Sequence, residues 1–468
     1  MTNREKIKQS LLAKMPRGAI SQFLSRDKTP ASVLFLSCIV GVLAGVVGTY
    51  FEVAIHFITE TRTDWLKDEI GSYLPLWLAA FRISAAFAFI GYFLVHRSAP
   101  EAAGSGIPEI EGAMDGMRPV RWWRVLPVKF LGGMGALGSG MVLGREGPPV
   151  QMGGSIGRMV TDIFRVKDDD SRHSLLASGA AGGLAAAFNA PLAGIMFVVE
   201  EMRPQFRYSL ISIKAVIISA VSANIVFRSI NGQSAVITMP QYQPPELNAL
   251  WLFLLLGVLF GLFGVVFNKL ITLSQDMFVA IHKNDRKRYL ATGTLLGGCF
   301  GLLLLYIPEL TGGGIGIIPN VTNGNYSTTI LLLIFLGRVL TTLLCFGSGA
   351  PGGIFAPMLA LGTLFGYAFG LTAAALLPGL HIEPGMFAIA GMGALFAATV
   401  RAPITGILLV IEMTNNYYLI LPLIITCLGA VIIAQMLGGQ PIYSQLLNRT
   451  LKNDKLRQQD LPQQEEVR

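Results

Sequence analysis

Residues 29–51, 174–199, 247–268 and 289–308 each run without one Asp, Glu, Lys or Arg. A helix needs about 20 apolar residues to cross the hydrocarbon of a bilayer, so each run is long enough for one crossing. Two further uncharged runs, 339–382 and 413–448, are too long for one span and are punctuated by Gly and Pro. Each must hold more than one segment, which predicts broken helices. Only 14% of the residues are charged, against roughly 25% in a soluble domain. The expected fold class is therefore all-α, a polytopic membrane protein with discontinuous helices meeting near the bilayer midplane.

The formal net charge of +8 could suggest a nucleic-acid partner, but the basic residues cluster between spans, at 118–129, 203–214 and 283–288. Cytoplasmic loops carry such an excess, so no nucleic acid is expected. Residues 229–268, 309–337 and 371–400 contain no Lys or Arg, which places the connections within them outside and the N-terminus inside. The first 28 residues include Arg4, Lys6, Lys8, Lys14, Arg17, Arg26 and Lys28. That stretch is too polar for a signal peptide and reads as a retained cytoplasmic arm, 1–30. Cys38, Cys299, Cys345 and Cys427 stand singly in apolar segments, which points to no disulfide framework, metal site or cofactor.

Glycine placement repeats. Gly144, Pro148, Gly153 and Gly157 recur as Gly353, Pro357, Gly362 and Gly366, an offset of 353 − 144 = 209. Gly179, Ala185, Ala186, Ala190, Pro191, Gly194, Ile195 and Glu200 recur as Gly391, Ala397, Ala398, Ala402, Pro403, Gly406, Ile407 and Glu412, an offset of 403 − 191 = 212. The chain thus reads as two related halves, 31–230 and 245–445, with a polar C-terminal tail, 446–468. Transporter architecture favours an inverted relation between them.

Three segments share one local grammar, glycines followed by proline: Gly104-Ser105-Gly106-Ile107-Pro108, Gly144-Arg145-Glu146-Gly147-Pro148 and Gly353-Ile354-Phe355-Ala356-Pro357. Proline suits a first helical turn and glycine allows close backbone approach. Each segment alone can be an ordinary helix start. Three converging at membrane depth would surround an anion with free N–H groups and helix dipoles. Glu146 is the sharpest residue, because an intramembrane carboxylate defaults to a functional hypothesis. An Arg145–Glu146 structural pair is the plainer reading. Inside an anion site a carboxylate mimics the anion, blocking the path when charged and releasing it when protonated.

Glu200 has the repeat partner Glu412, which suggests a structural duty such as satisfying backbone donors. Opposite Glu201 stands Met413. Arg203 and Arg207 follow it, so a solvated salt bridge and a role at the inner end of a pathway remain alternatives. Ser105 and Tyr443 can donate hydroxyl hydrogen bonds, although a serine among glycines also reads as a turn and a tyrosine as a membrane-interface marker. Lys129 and Arg338 are expected to snorkel or to pair with Glu111 or another acid. Two enzyme-like motifs are set aside, and no enzymatic activity is expected. Gly133 to Gly138 fits G-x-G-x-x-G but lacks a βαβ setting. Gly153 to Gly157 fits G-x-S-x-G, but its glycines belong to the repeat.

The ordered motifs G-S-G-I-P, G-R-E-G-P and G-x-F-x-P with a late tyrosine resemble those of the CLC family of chloride channels and transporters. The resemblance covers about residues 30–445. It is strongest to the enterobacterial proton-coupled members, through stretches such as Arg118 to Lys129 and Glu200 to Arg207. It implies a homodimer in a bacterial inner membrane, with both termini cytoplasmic and one pathway per subunit. Ser105, Ile354, Phe355 and Tyr443 would then line a chloride path and Glu146 would be its outer gate. Glu201 would match the inner proton-transfer glutamate of exchangers, so electrogenic exchange of protons for chloride is implied, with a passive gated channel as the alternative. Serine in the first motif implies chloride preference over nitrate. The family usually has Thr or Ser where this chain has Pro149, which puts the local packing in question.

Overall fold

The computed structural model describes residues 31–68, 75–283, 285–324 and 326–465; the basic arm lies outside them. The first eight helices are α1 (Ala31–Asp68), α2 (Leu76–Ser98), α3 (Ile107–Met114), α4 (Trp122–Gly138), α5 (Gly147–Ile163), α6 (Asp169–Phe188), α7 (Pro191–Met196) and α8 (Leu210–Asn231). The next eight are α9 (Leu250–His282), α10 (Arg286–Tyr306), α11 (Ile317–Asn323), α12 (Thr328–Gly347), α13 (Phe355–Leu376), α14 (Pro384–Val400), α15 (Pro403–Thr414) and α16 (Ile420–Met436). A last helix, α17 (Ile442–Glu465), starts inside the second half and continues through the polar tail. Among the described residues, eight helices are long and apolar enough to cross a bilayer.

The two sets of eight correspond helix by helix, and their packing repeats. An added Cβ on Gly153 would lie 2.1 Å from the Gly179 carbonyl oxygen, and one on Gly362 would lie 2.3 Å from that of Gly391. The pair α5–α6 is thus built like α13–α14. Likewise α1 meets α8 through Gly41 on Ser219 and Gly45 on Ala223, while α9 meets α16 through Gly257 on Thr426 and Gly261 on Ala430. Lipid provides no hydrophobic drive for helix association, so small residues that let backbones touch carry the packing.

Crossed hydrogen bonds tie the halves together. Glu200 accepts from the amides of Ile404 (3.0 Å) and Thr405 (2.7 Å), and Glu412 accepts from those of Leu192 (3.1 Å) and Ala193 (2.9 Å). These are the same contacts exchanged across a local two-fold, and they give Glu200 the structural duty its repeat partner suggested. The basic loop 165–172 corresponds to 377–384, and 118–124 to 327–333, and neither counterpart contains Lys or Arg. This asymmetry of charge accords with the inverted relation expected for the halves.

One expected crossing is broken. The uncharged run 174–199 does not form a single helix. Helix α6 stops at Phe188, and Asn189 takes a left-handed φ of 52° with its N–H on the Ala185 carbonyl. Pro191 opens α7, because proline cannot continue the preceding helix but fits the first turn of a new one. Arg401, at φ 73° before Pro403, repeats the break in the second half. Both enzyme-like motifs lie within helices, where Gly135 packs on the backbone of Phe87 and Gly91.

Candidate functional site

The three glycine-proline segments meet. The Gly352 amide donates to the Gly104 carbonyl at 3.0 Å, and Gly144 and Gly353 exchange both backbone hydrogen bonds, at 2.6 and 2.8 Å. Gly147 closes the third side, since a Cβ there would lie 2.7 Å from the Ser105 carbonyl oxygen. Gly104 and Gly106 adopt φ of 61° and 83°. Any other residue at Gly106 would also strike the Gln151 side chain, 2.2 Å from the added Cβ.

Glu146 caps α5 and is fully buried. Its Oε2 accepts the Ala356 amide of the α13 first turn at 3.3 Å, while its Oε1 has no partner. First-turn amides have no intrahelical acceptor and carry the positive end of the helix dipole. The carboxylate therefore occupies a seat made for an anion. Arg145 forms no ion pair with it among the described residues; the Arg145 guanidinium turns to Glu52 at 2.9 Å. A cavity of about 580 Å³, lined in part by Arg62, Arg145, Arg338 and Ala356, opens beside this seat. Pro149 fits without disturbance. It is buried in the first turn of α5, where its missing N–H would be unpaired anyway, and Val150 still donates to Glu146 at 3.3 Å.

Ile354 caps α13 and is fully buried, as is Phe355, which packs on Phe188, Phe197 and Phe396 with ring centroids 5.1, 6.4 and 4.3 Å away. Ser105 is buried in the loop before α3, with its Oγ 3.4 Å from the Ile107 amide. Tyr443, on the first turn of α17, is buried with its hydroxyl unpartnered. Its phenol lies within Coulombic range of Glu146, Glu201 and Glu111.

Glu201 ends a π-turn, Phe197–Glu201, closed by the Met202 amide on the Phe197 carbonyl. The turn directs it inward: Glu201 is buried with Oε1 unpartnered, while Arg207 pairs with Asp170 at 3.0 Å. The solvated salt bridge therefore does not form. Glu111, read from sequence only as a partner for a buried cation, is buried with both carboxylate oxygens unpartnered, and it lies within Coulombic range of Glu201. Its signal was an acid inside Ile107-Pro108-Glu109-Ile110-Glu111-Gly112.

Among the described residues, Lys129 and Arg338 pair with no acid. Lys129 Nζ donates to the carbonyls of Ala102 (3.0 Å) and Gly104 (2.7 Å). Arg338, 209 residues on, donates to those of Glu309 (2.7 Å), Thr311 (3.0 Å) and Gly312 (2.9 Å). The loop 100–106 and its repeat equivalent thus each have carbonyls drawn to one buried cation.

A multi-helical membrane protein with repeated helix packing and with helix N-termini gathered about a buried acid belongs to the class of ion-transport proteins. Residues 85–435 match the family model for voltage gated chloride channels, and the chain belongs to that family. It is 83% identical over 465 residues to a Vibrio vulnificus H(+)/Cl(-) exchange transporter, covering 99% of this chain and 100% of that one. It is 58% identical to the Klebsiella pneumoniae protein of the same description, covering 95% and 94%. Among solved structures it is similar to a slow cyanobacterial Cl-/H+ antiporter, with a TM-score of 0.85 and 43% identity over 90% of this chain and 98% of that one.

Proposed function

We propose that this protein exchanges chloride for protons across a bacterial inner membrane, with Glu146 as the gate. The observation that carries this reading is the Glu146 carboxylate on the Ala356 amide of α13, one oxygen bonded and one free. Ionised, it fills the anion seat. Protonated, it loses the charge that holds it there and a chloride takes its place on the same N–H groups. When the carboxyl gives up its proton and returns to the seat it displaces the chloride, so the two flows are linked.

Ser105 and Tyr443 offer hydroxyls on the inner side of the seat, and Ile354 and Phe355 offer backbone amides. Glu201 serves as the inner proton-transfer group, buried near Tyr443 and distinct from the structural acids Glu200 and Glu412. The halves, 31–230 and 245–445, share one pathway, with the arm and the tail in the cytoplasm. High identity to proteins described as H(+)/Cl(-) exchange transporters supports exchange. The homodimer implied by the family resemblance is proposed as well, and the mass of the purified protein in detergent tests it.

Reconstituted in liposomes, the protein is expected to use a chloride gradient to drive protons uphill. A reversal potential that ignores the proton gradient would instead select the passive channel.

A further inference from the structure

Arg118 lies outside the seat, yet it joins the two elements that bring Ser105 and Tyr443 to the pathway. Its guanidinium forks onto Glu109 of α3, with Nε on Oε2 at 2.7 Å and Nη2 on Oε1 at 2.9 Å. The remaining nitrogen, Nη1, donates to Asp454 of α17. Arg118 and Glu109 are each 18% exposed and Asp454 39%, so the triad is sheltered rather than a free surface pair. The backbone reinforces it: the Met117 and Arg118 amides both close on the Gly112 carbonyl, at 2.8 and 3.0 Å. A Cβ on Gly112 would lie 2.5 Å from Arg118 Cγ and 2.9 Å from Leu447 Cδ1, so α3, the arginine stem and α17 are in direct contact.

Helices are stiff over such lengths. Asp454 stands eleven residues beyond Tyr443, about 16 Å along α17 at about 1.5 Å per residue. Glu109, in the first turn of α3, stands four residues beyond Ser105. A bidentate guanidinium fixes direction as well as distance. Resting on the reading of Ser105 and Tyr443 given above, we propose that Arg118 is a positioning residue, a clamp across α3 and α17 that sets the spacing of the two hydroxyls and keeps the inner end of the pathway closed to uncoupled chloride.

Chloride efflux and proton flux, measured in the same proteoliposomes, test this. Asp454→Asn cuts only the α17 arm and is expected to raise chloride efflux at least twofold without raising proton flux. Asp454→Glu should restore the wild-type rate, and Arg118→Lys, which keeps the charge but loses the fork, should resemble Asp454→Asn. Asp276→Asn, on α9, removes a different ion pair made to α17, that with Arg449, and should leave efflux unchanged. Chloride efflux in Asp454→Asn equal to wild type, or raised equally in Asp276→Asn, would overturn the clamp. Should the wild type move chloride but no protons, the exchange reading fails, and the clamp is judged by chloride efflux alone.

Discussion

Gly391→Ala probes the contact that sets α13 against α14. The added Cβ would lie 2.2 Å from the Gly362 carbonyl oxygen, where ordinary contact begins at 3.4 Å. The helices must part by about 1 Å, and the opposing atom is backbone that no rotamer change can move. Overpacking of this kind destabilises by about 1–3 kcal/mol, and a backbone obstacle puts this case at the upper end. Helix α13 also carries Ile354, Phe355 and Ala356, so a shift of that size reaches the seat, and chloride flux should fall with stability. Gly316→Ala is the reference, because its added Cβ meets nothing within 4 Å. Unfolding of both variants in mixed detergent micelles gives the difference directly. Stabilities within about 0.5 kcal/mol of each other, the range of surface substitutions, would refute the close-contact reasoning.

Further expectations concern the acids. Glu146→Ala should lower proton movement at least tenfold while chloride still passes, and Glu201→Gln should also uncouple protons; retained uphill proton pumping in either variant removes that residue from the mechanism. Glu200→Gln should destabilise by about 1–3 kcal/mol through an unsatisfied donor. Glu412→Gln should cost less, since Glu200 also accepts the Thr405 hydroxyl at 2.8 Å, and equal unfolding midpoints would count against this ranking. Asp168 caps α6, and the Ser171 hydroxyl and amide hold its carboxyl below the usual range. Its contribution, about 1 kcal/mol for such a cap, is present above the unfolded value near 4 and lost as pH falls through the lowered folded value. An Asp168→Ala variant with the wild-type pH dependence of unfolding would contradict that.

The repeat was legible because glycine and proline are demanded by backbone geometry: Gly153 on Gly179 and Gly362 on Gly391 tolerate no Cβ. The convergence at Gly104, Gly144 and Gly353 was readable for the same reason. The break after Phe188 was hidden inside an uncharged run, although Ala190-Pro191 and its echo Ala402-Pro403 marked it. The partners of Lys129 and Arg338 escaped notice because sequence suggests acids as companions for cations. Backbone carbonyls, which took that place, leave no trace in composition. The inward turn of Glu201 depends on one extra residue in a helical turn, which spacing alone does not reveal.

The bond pair between Gly144 and Gly353 has a mechanical meaning. A residue joined to its own repeat counterpart sits on the local two-fold that relates the halves, at a point where each half holds the other directly. The two bonds have almost no lever arm, so tilting one half about this point strains them little, while sliding it past its twin would break both.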